Sequence, residues 1–196
     1  MINITSGHLR GISLKTPAGL DTRPTRSRVR SAILNMIQFQ LSQASVLDLF
    51  AGSGAFGIEA ISRGASKAHF IDKEPDSIKC LNENLNQINK HTLKNDGPKF
   101  ETKIERLDIL GIKRGHFPSQ YDIIFCDPPY DLSSDFIAMF QQFLPDILNP
   151  QGLFIFESHV HDKDYLSKIQ FKANLDILKQ KTYGISLISI WRYQES

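Results

Sequence analysis

Val46-Leu47-Asp48-Leu49-Phe50-Ala51-Gly52-Ser53-Gly54-Ala55-Phe56-Gly57 is the stretch that decides the fold. An apolar run of strand length breaks at glycines, and a helical pattern then runs from Ala55 to Arg63 and stops at Gly64. Gly52, Gly54 and Gly57 satisfy the G-x-G-x-x-G spacing, in which glycines supply a tight turn and a close backbone approach at a helix N-terminus. By itself the spacing fits a dinucleotide site with a pyrophosphate at the helix start. Asp48 changes that reading. A carboxylate at the strand end repels a pyrophosphate and suits a positively charged ligand group, such as the ammonium of the methionine part of S-adenosylmethionine.

Outward from this corner, strands and helices alternate. Lys67–Asp72 reads as a second strand, and Pro75 opens a helix with Ile78, Leu81, Leu85 and Ile88 on one face. A weaker strand lies between Lys99 and Arg106, and the continuous apolar run Tyr121–Cys126 suits a parallel strand covered on both faces. Phe136–Leu148 reads as a helix, Gly152–Phe156 as a strand, and Leu175–Tyr183 with Ile185–Tyr193 as a hairpin around Gly184. Such alternation predicts a doubly wound, Rossmann-like α/β sheet, mostly parallel, with an antiparallel C-terminal hairpin. At the N-terminus, Ile2–Ser6 and Gly11–Lys15 form a small hairpin. Ser27 then caps a helix with Val29, Ile33, Ile37 and Leu41 as its apolar stripe. Lys90–Lys99, with Asn95-Asp96-Gly97-Pro98, reads as a surface loop.

With 196 residues, 41% of them hydrophobic, the chain has enough core to fold as one domain without disulfides or structural metal. Cys80 and Cys126 lack a CxxC pattern and read as buried reduced thiols. No apolar run approaches bilayer length and no secretion signal precedes the first strand, so the expected compartment is the cytoplasm, with no membrane partner; no long amphipathic surplus is visible, and a monomer is the expected state. The net charge of +2 conceals an asymmetry: residues 1–30 hold six basic side chains and one acidic, while the remainder is net acidic. A basic arm of this kind is a candidate polyanion grip, and its helix start places Arg26, Arg28 and Arg30 where cations oppose the helix dipole.

Further acids complete the first constellation. Asp72 ends the second strand, where a carboxylate accepts hydrogen bonds from ribose hydroxyls, and Asp108 follows the third strand within reach of an adenine amino group. A second constellation, Asp127-Pro128-Pro129-Tyr130, ends the fourth strand, on the edge of the sheet where ligands of open α/β folds bind. An exocyclic base amine is a poor nucleophile because its lone pair is delocalised. Asp127 and the Pro128 carbonyl are acceptors for its two N–H groups, the prolines make the turn rigid, and Tyr130 stacks on the base. In-line methyl transfer then proceeds mainly by orientation and needs no metal. Glu157-Ser158-His159-Val160-His161 alternates along an extended segment and reads as a solvated loop rather than a zinc site.

Asp48 to Gly54, Asp127 to Tyr130, and Arg23-Pro24-Thr25 followed by Arg28-Val29-Arg30 resemble the RsmD family, bacterial enzymes that methylate N2 of one guanine in 16S ribosomal RNA. The resemblance runs from the Gly7–Gly11 turn to Lys181–Gly184 and implies a class I S-adenosylmethionine methyltransferase. It implies cofactor contacts from Asp48, Phe50, Gly52, Ser53, Gly54, Asp72, Lys73 and Asp108, and catalytic roles for Asp127, Pro128, Pro129 and Tyr130. It also implies RNA contacts from Arg10, Arg23, Thr25, Arg28 and Arg30. The substrate it implies is 16S rRNA within an assembled small-subunit particle, met by residues 1–42 as a docking extension of a single 1–196 domain. Ser27 and Ser31 stand where many relatives carry acids, and Asp72 where Glu is commoner. An amino-methyltransferase acting on adenine or cytosine in DNA, a nucleotide-binding oxidoreductase and a non-catalytic RNA-binding module are the alternative readings. The absence of a separate target-recognition domain weighs against the first, and Asp48 with Asp127–Tyr130 against the other two.

Overall fold

The computed structural model describes residues 1–17, 24–117, 119–169, 171 and 174–194, with the side chains of 24–26, 133 and 134 outside that description. These residues fall into two compact units, Met1–Ile109 and Leu110–Ser196.

In the first unit, the strands β1 (Ile2–Asn3) and β2 (Ser13–Leu14) pair antiparallel, a shorter ladder than the hairpin expected from sequence. Helix α1 spans Pro24–Met36. Then follow β3 (Ser45–Leu49), α2 (Ala55–Ser62), β4 (Lys67–Asp72), α3 (Pro75–Lys94) and β5 (Glu101–Arg106). β4 pairs parallel with both β3 and β5. Two expectations in this unit are corrected. Pro24 already stands in α1, because a proline in the first turn gives up no helical hydrogen bond, so Ser27 lies inside the helix instead of capping it. The loop predicted from Lys90 starts later, since Thr92 continues the buried stripe of α3 and the turn comes at Asp96, where φ is +49°.

The second unit contains β6 (Tyr121–Cys126), α4 (Ser133–Phe140), α5 (Leu144–Ile147), β7 (Leu148–His159), α6 (Lys163–Lys168), β8 (Leu175–Tyr183) and β9 (Ser186–Tyr193). β6 and β7 are parallel, and β9 lies antiparallel between β7 and β8. The strand order is β5-β4-β3 in the first unit and β6-β7-β9-β8 in the second, mostly parallel, as in the class I methyltransferase fold. The helix expected over Phe136–Leu148 is interrupted: Pro145 sits in the first turn of α5, where its missing N–H costs nothing, and Leu148 is already extended. Phe136, Phe140, Phe154 and Phe156 are fully buried, and Phe154 stacks on its cross-strand partner Trp191 at 5.6 Å. Cys80 and Cys126 are buried and not joined in a disulfide. Among the described residues no helix is long and apolar enough to cross a membrane.

The N-terminal segment shares the core of the first unit. Ile4, Leu9 and Leu14 are fully buried in one cluster with Ile58 and Ile61 of α2 and Leu81, Leu85 and Ile88 of α3. Its turn is fastened to the end of α2: the His8 N–H donates to the Ser62 carbonyl at 2.9 Å, and the Leu9 N–H to Ser62 Oγ at 2.9 Å. Gly7 has φ +82°, and a Cβ there would lie 1.7 Å from the Ser62 carbonyl oxygen, so only glycine allows this approach.

Glu59, in the middle of α2, is fully buried and accepts hydrogen bonds from Arg30 Nε at 2.8 Å, from Arg63 Nη2 at 2.7 Å and from the Thr5 hydroxyl. Burial raises its carboxyl, but the bonds from Thr5, Arg63 and Arg30 and the Arg30 charge outweigh burial and hold it below its ordinary value. Glu59→Ala leaves two guanidinium groups without their carboxylate, and urea unfolding at neutral pH is expected to show a loss of about 3–5 kcal/mol. Because the folded value is depressed, the Glu59 contribution is complete above its ordinary value of 4.5 and disappears as pH falls through the lower folded value. The variant is therefore expected to lose less stability on acidification than the wild type.

Candidate active site

The chain leaves β3 through a loop with three left-handed residues, Phe50 (φ +60°), Gly52 (φ +55°) and Gly54 (φ +75°). Phe50 adopts this conformation despite its side chain, a local strain of the kind concentrated at ligand sites. The later glycines are required by packing. A Cβ on Gly54 would lie 2.2 Å from Leu81 Cδ1, and one on Gly57 would lie 2.4 Å from Phe70 Cε1 and 3.2 Å from Asp48 Oδ2. The last two glycines of the spacing thus record how closely α2 packs on β4 and α3.

Two acids shape the loop. Asp48 is 1% exposed, and its Oδ2 accepts the Gly57 N–H at 3.0 Å, placing a carboxylate at the positive end of α2. Burial pushes its carboxyl up to about 8, against the pull of the Gly57 N–H and with the Asp72 charge adding to the rise. Asp72, at the end of β4, accepts the Gly52 N–H through Oδ2 at 2.8 Å and the Glu74 N–H through Oδ1 at 2.9 Å. An ionised carboxylate has about four acceptor sites, so these bonds leave capacity for a ligand hydroxyl. Beyond Asp72 lies a cleft of about 560 Å³ lined by Lys73, Glu74, Pro75, Arg106, Leu107 and Asp108. Lys73 Nζ and Asp108 Oδ2 stand 3.8 Å apart at its half-exposed rim, and Arg106 Nε donates to the Lys73 carbonyl at 3.2 Å. The Ser53 carbonyl accepts from Asn84 of α3, a residue the sequence reading passed over, although the spacing Ser77, Leu81, Asn84, Ile88 marks it as core-facing.

In the second unit, Asp127 is half-buried directly after β6, Pro128 is buried and Pro129 exposed. Tyr130 begins a 3-10 turn closed by the Leu132 N–H on the Pro129 carbonyl at 2.9 Å. Its hydroxyl lies 2.9 Å from Ser186 Oγ, and its ring meets the His159 ring edge-on at 5.4 Å. His159 ends β7, Ser186 begins β9, and the two are cross-strand partners, so two strands grip one tyrosine. Ser186 was not singled out from sequence, His159 was read only as part of a solvated loop, and the loop expected over Glu157–His161 is corrected. Glu157 and Ser158 are buried within β7, whose pairing with β9 continues through both residues to His159. Among the described residues no group of three His, Cys, Asp or Glu side chains is arranged to hold a metal.

The family model described as Conserved hypothetical protein 95 matches residues 2–192. The chain belongs to this family. YlbH of Bacillus subtilis is 30% identical over 195 residues, covering 97% of this chain and 98% of that protein. The Ribosomal RNA small subunit methyltransferase D of Haemophilus influenzae is 30% identical over 94% of this chain and 90% of its own length. The solved structure of yhhF from Escherichia coli, at 27% identity, has a TM-score of 0.74 and covers 100% of this chain and 99% of that one. The RsmD-like relationship read from the motifs therefore extends over the whole chain, and fold and family identify S-adenosylmethionine as the cofactor. The donor set fits it: a buried acid at a helix N-terminus for a cationic group, and a polar cleft beside a strand-end acid for a hydroxylated one.

For this member of the family, the expected basic grip divides. Arg10 and Arg28 are exposed, while Arg23 and the side chain of Thr25 lie outside the described residues. Arg30 is corrected: it is 7% exposed, with Nε on Glu59 and Nη2 donating to the Asn3 carbonyl at 2.9 Å, so its anion is internal. Arg30 meets Glu59 and Asn35 meets Arg63, so α1 and α2 run in the same sense and the start of α1 lies toward the glycine loop. Arg10, by contrast, follows the turn fastened at Ser62, a helix length of roughly 12 Å from that loop.

The raised value of Asp48 has a measurable consequence. Between its ordinary 3.8 and about 8, the folded protein holds a proton that the unfolded chain has released, so this group's contribution to stability declines as pH rises through that window. Urea unfolding of the ligand-free protein is expected to show the decline, at up to ~1.4 kcal/mol per pH unit, and Asp48→Asn is expected to remove it. Parallel pH profiles for the two proteins would mean that Asp48 is ionised in the fold.

Proposed function

We propose that the protein transfers a methyl group from S-adenosylmethionine to the exocyclic N2 amine of a guanine in 16S ribosomal RNA, presented in an assembled small-subunit particle. The observation that carries this reading is the rigid Asp127–Tyr130 turn at the end of β6, in a chain whose glycine loop is built around two acids. The printed name of the Haemophilus relative supports the substrate class, and the basic N-terminal segment supports a polyanionic partner.

When bound, S-adenosylmethionine supplies an electrophilic methyl group on a sulfonium. Asp48 holds the ammonium of its methionine part, the Gly52–Gly54 backbone with Phe50 and Ser53 shapes the cradle, Asp72 takes the ribose hydroxyls, and Lys73 and Asp108 border the adenine. The Asp127 carboxylate and the Pro128 carbonyl accept the two N–H groups of the guanine amine, which localises its lone pair and offsets the positive charge that grows on nitrogen during transfer. Pro129 stiffens the turn. Tyr130 offers its ring to the base, and the Ser186 contact fixes the orientation of that ring. Arg10, Arg23, Thr25 and Arg28 form the RNA-facing set, within residues 1–42 as the docking extension of one methyltransferase domain.

Small-subunit particles from a strain lacking the gene are expected to accept labelled methyl from S-adenosylmethionine at one guanine N2, mapped by mass spectrometry. Transfer to duplex DNA and not to particles would replace this reading with that of a DNA amino-methyltransferase. Asp127→Ala is expected to lower turnover by about 100- to 1,000-fold while calorimetric affinity for S-adenosylmethionine stays within about twofold. A collapse of cofactor affinity would assign Asp127 to the cofactor instead of the target.

A further inference from the structure

Asn84 is fully buried in the middle of α3, and each hydrogen-bonding group of its amide is engaged. Oδ1 accepts the Lys15 N–H at 2.8 Å, and Nδ2 donates to the Lys15 carbonyl at 3.0 Å and to the Ser53 carbonyl at 2.9 Å. The first two bonds reproduce the pairing a neighbouring strand would offer to Lys15. The third reaches the residue between the two left-handed glycines of the cofactor loop. Only a carboxamide, in one orientation, meets an N–H and two carbonyls at once: aspartate lacks the donors and leucine lacks both functions. Asparagine is also a poor helix former, so its presence here is not explained by the helix itself.

The surrounding contacts extend the seam. Lys15 Nζ pairs with Glu83 at 2.7 Å, and Gln87 Nε2 donates to the Ser13 carbonyl at 3.3 Å, so residues 13–15 lie along α3 from position 83 to 87. The same short segment is therefore tied at one point to the backbone of the cofactor loop. The Ser53 carbonyl is drawn toward α3, and the Gly54 N–H donates to the Ala51 carbonyl at 2.7 Å, which leaves the loop little freedom to choose another conformation.

We propose that Asn84 is a positioning residue that couples the N-terminal strap at Ser13–Lys15 to the cofactor loop, so that cofactor binding and the order of the strap strengthen each other. The coupling rests on the S-adenosylmethionine site and is independent of which RNA or DNA is methylated. Linkage makes it reciprocal: whatever the cofactor adds to the order of the strap, an ordered strap adds to cofactor affinity.

The test uses the full chain. Amide hydrogen exchange at Lys15 is measured with and without saturating S-adenosylmethionine, beside calorimetric affinity, in the wild type, Asn84→Ala and Ile88→Val. The last variant loosens the packing of α3, in the cluster that holds Ile88, while keeping the Asn84 amide that bonds Ser53 and Lys15. In the wild type the cofactor is expected to slow exchange at Lys15 about tenfold, a measurement that requires no variant to fold. Asn84→Ala is expected to lose that response and to bind the cofactor about tenfold more weakly, whereas Ile88→Val keeps both. Cofactor binding with unchanged Lys15 exchange in the wild type overturns the coupling alone. Wild-type affinity in Asn84→Ala does the same, and so does an equal loss in Ile88→Val, which would make the role merely structural. Failure of the wild type to bind S-adenosylmethionine at all overturns the cofactor reading together with the coupling.

Discussion

Every residue of α2 is buried, so this eight-residue helix has to satisfy its polar groups from within the protein, and much of the first unit is arranged to do so. At its start the Gly57 N–H goes to Asp48. In its middle, Glu59 brings a negative charge into the core and requires cations there, which Arg30 of α1 and Arg63 supply. At its end, Ser62 takes the backbone of the N-terminal turn through both its carbonyl and its hydroxyl. One helix therefore organises the cofactor loop, the basic helix and the N-terminal hairpin. Replacing such an ionic cluster with apolar groups is often neutral for stability; what the contacts show here is geometric, Arg30 of α1 meeting Glu59 of α2.

The cofactor loop shows the same economy with acids. Asp48 and Asp72 each hold a backbone N–H of the glycine corner, so the loop is ordered by the very carboxylates proposed to meet the ligand. Burial makes the charged form of Asp48 unfavourable, whereas a cationic ligand group would favour it. A site of this kind is preorganised in shape while keeping an electrostatic preference that only the ligand satisfies.

The second unit solves a different problem. A tyrosine proposed to stack on a base has to present its ring without swinging, and here the hydroxyl end is held by Ser186 while the ring edge lies against His159. Both residues stand on strands whose shared ladder also carries the aromatic core of Phe154, Phe156 and Trp191.

The sequence by itself determined the order of strands and helices, the glycine corner, the strand-end acids Asp48 and Asp72 and the Asp127–Tyr130 turn. Each of these is written in local spacing: an apolar period, a glycine that frees φ, a proline that restricts it. The interruption at Pro145 was legible in the same way, since proline belongs to the first turn of a helix. Tertiary structure alone decided what charged and polar side chains do. Arg30 looked like part of a polyanion grip because its partner Glu59 is distant in the chain, and a lone acid in an apolar helix does not announce which cation it recruits. Asn84, Ser186 and the contact of His159 with Tyr130 were missed for the same reason: the partners Lys15, Ser53 and Tyr130 become neighbours only after the chain has folded. Backbone periodicity depends on residues three or four positions apart, whereas the pairing of a buried charge or amide depends on whichever distant segment the fold brings within 3 Å.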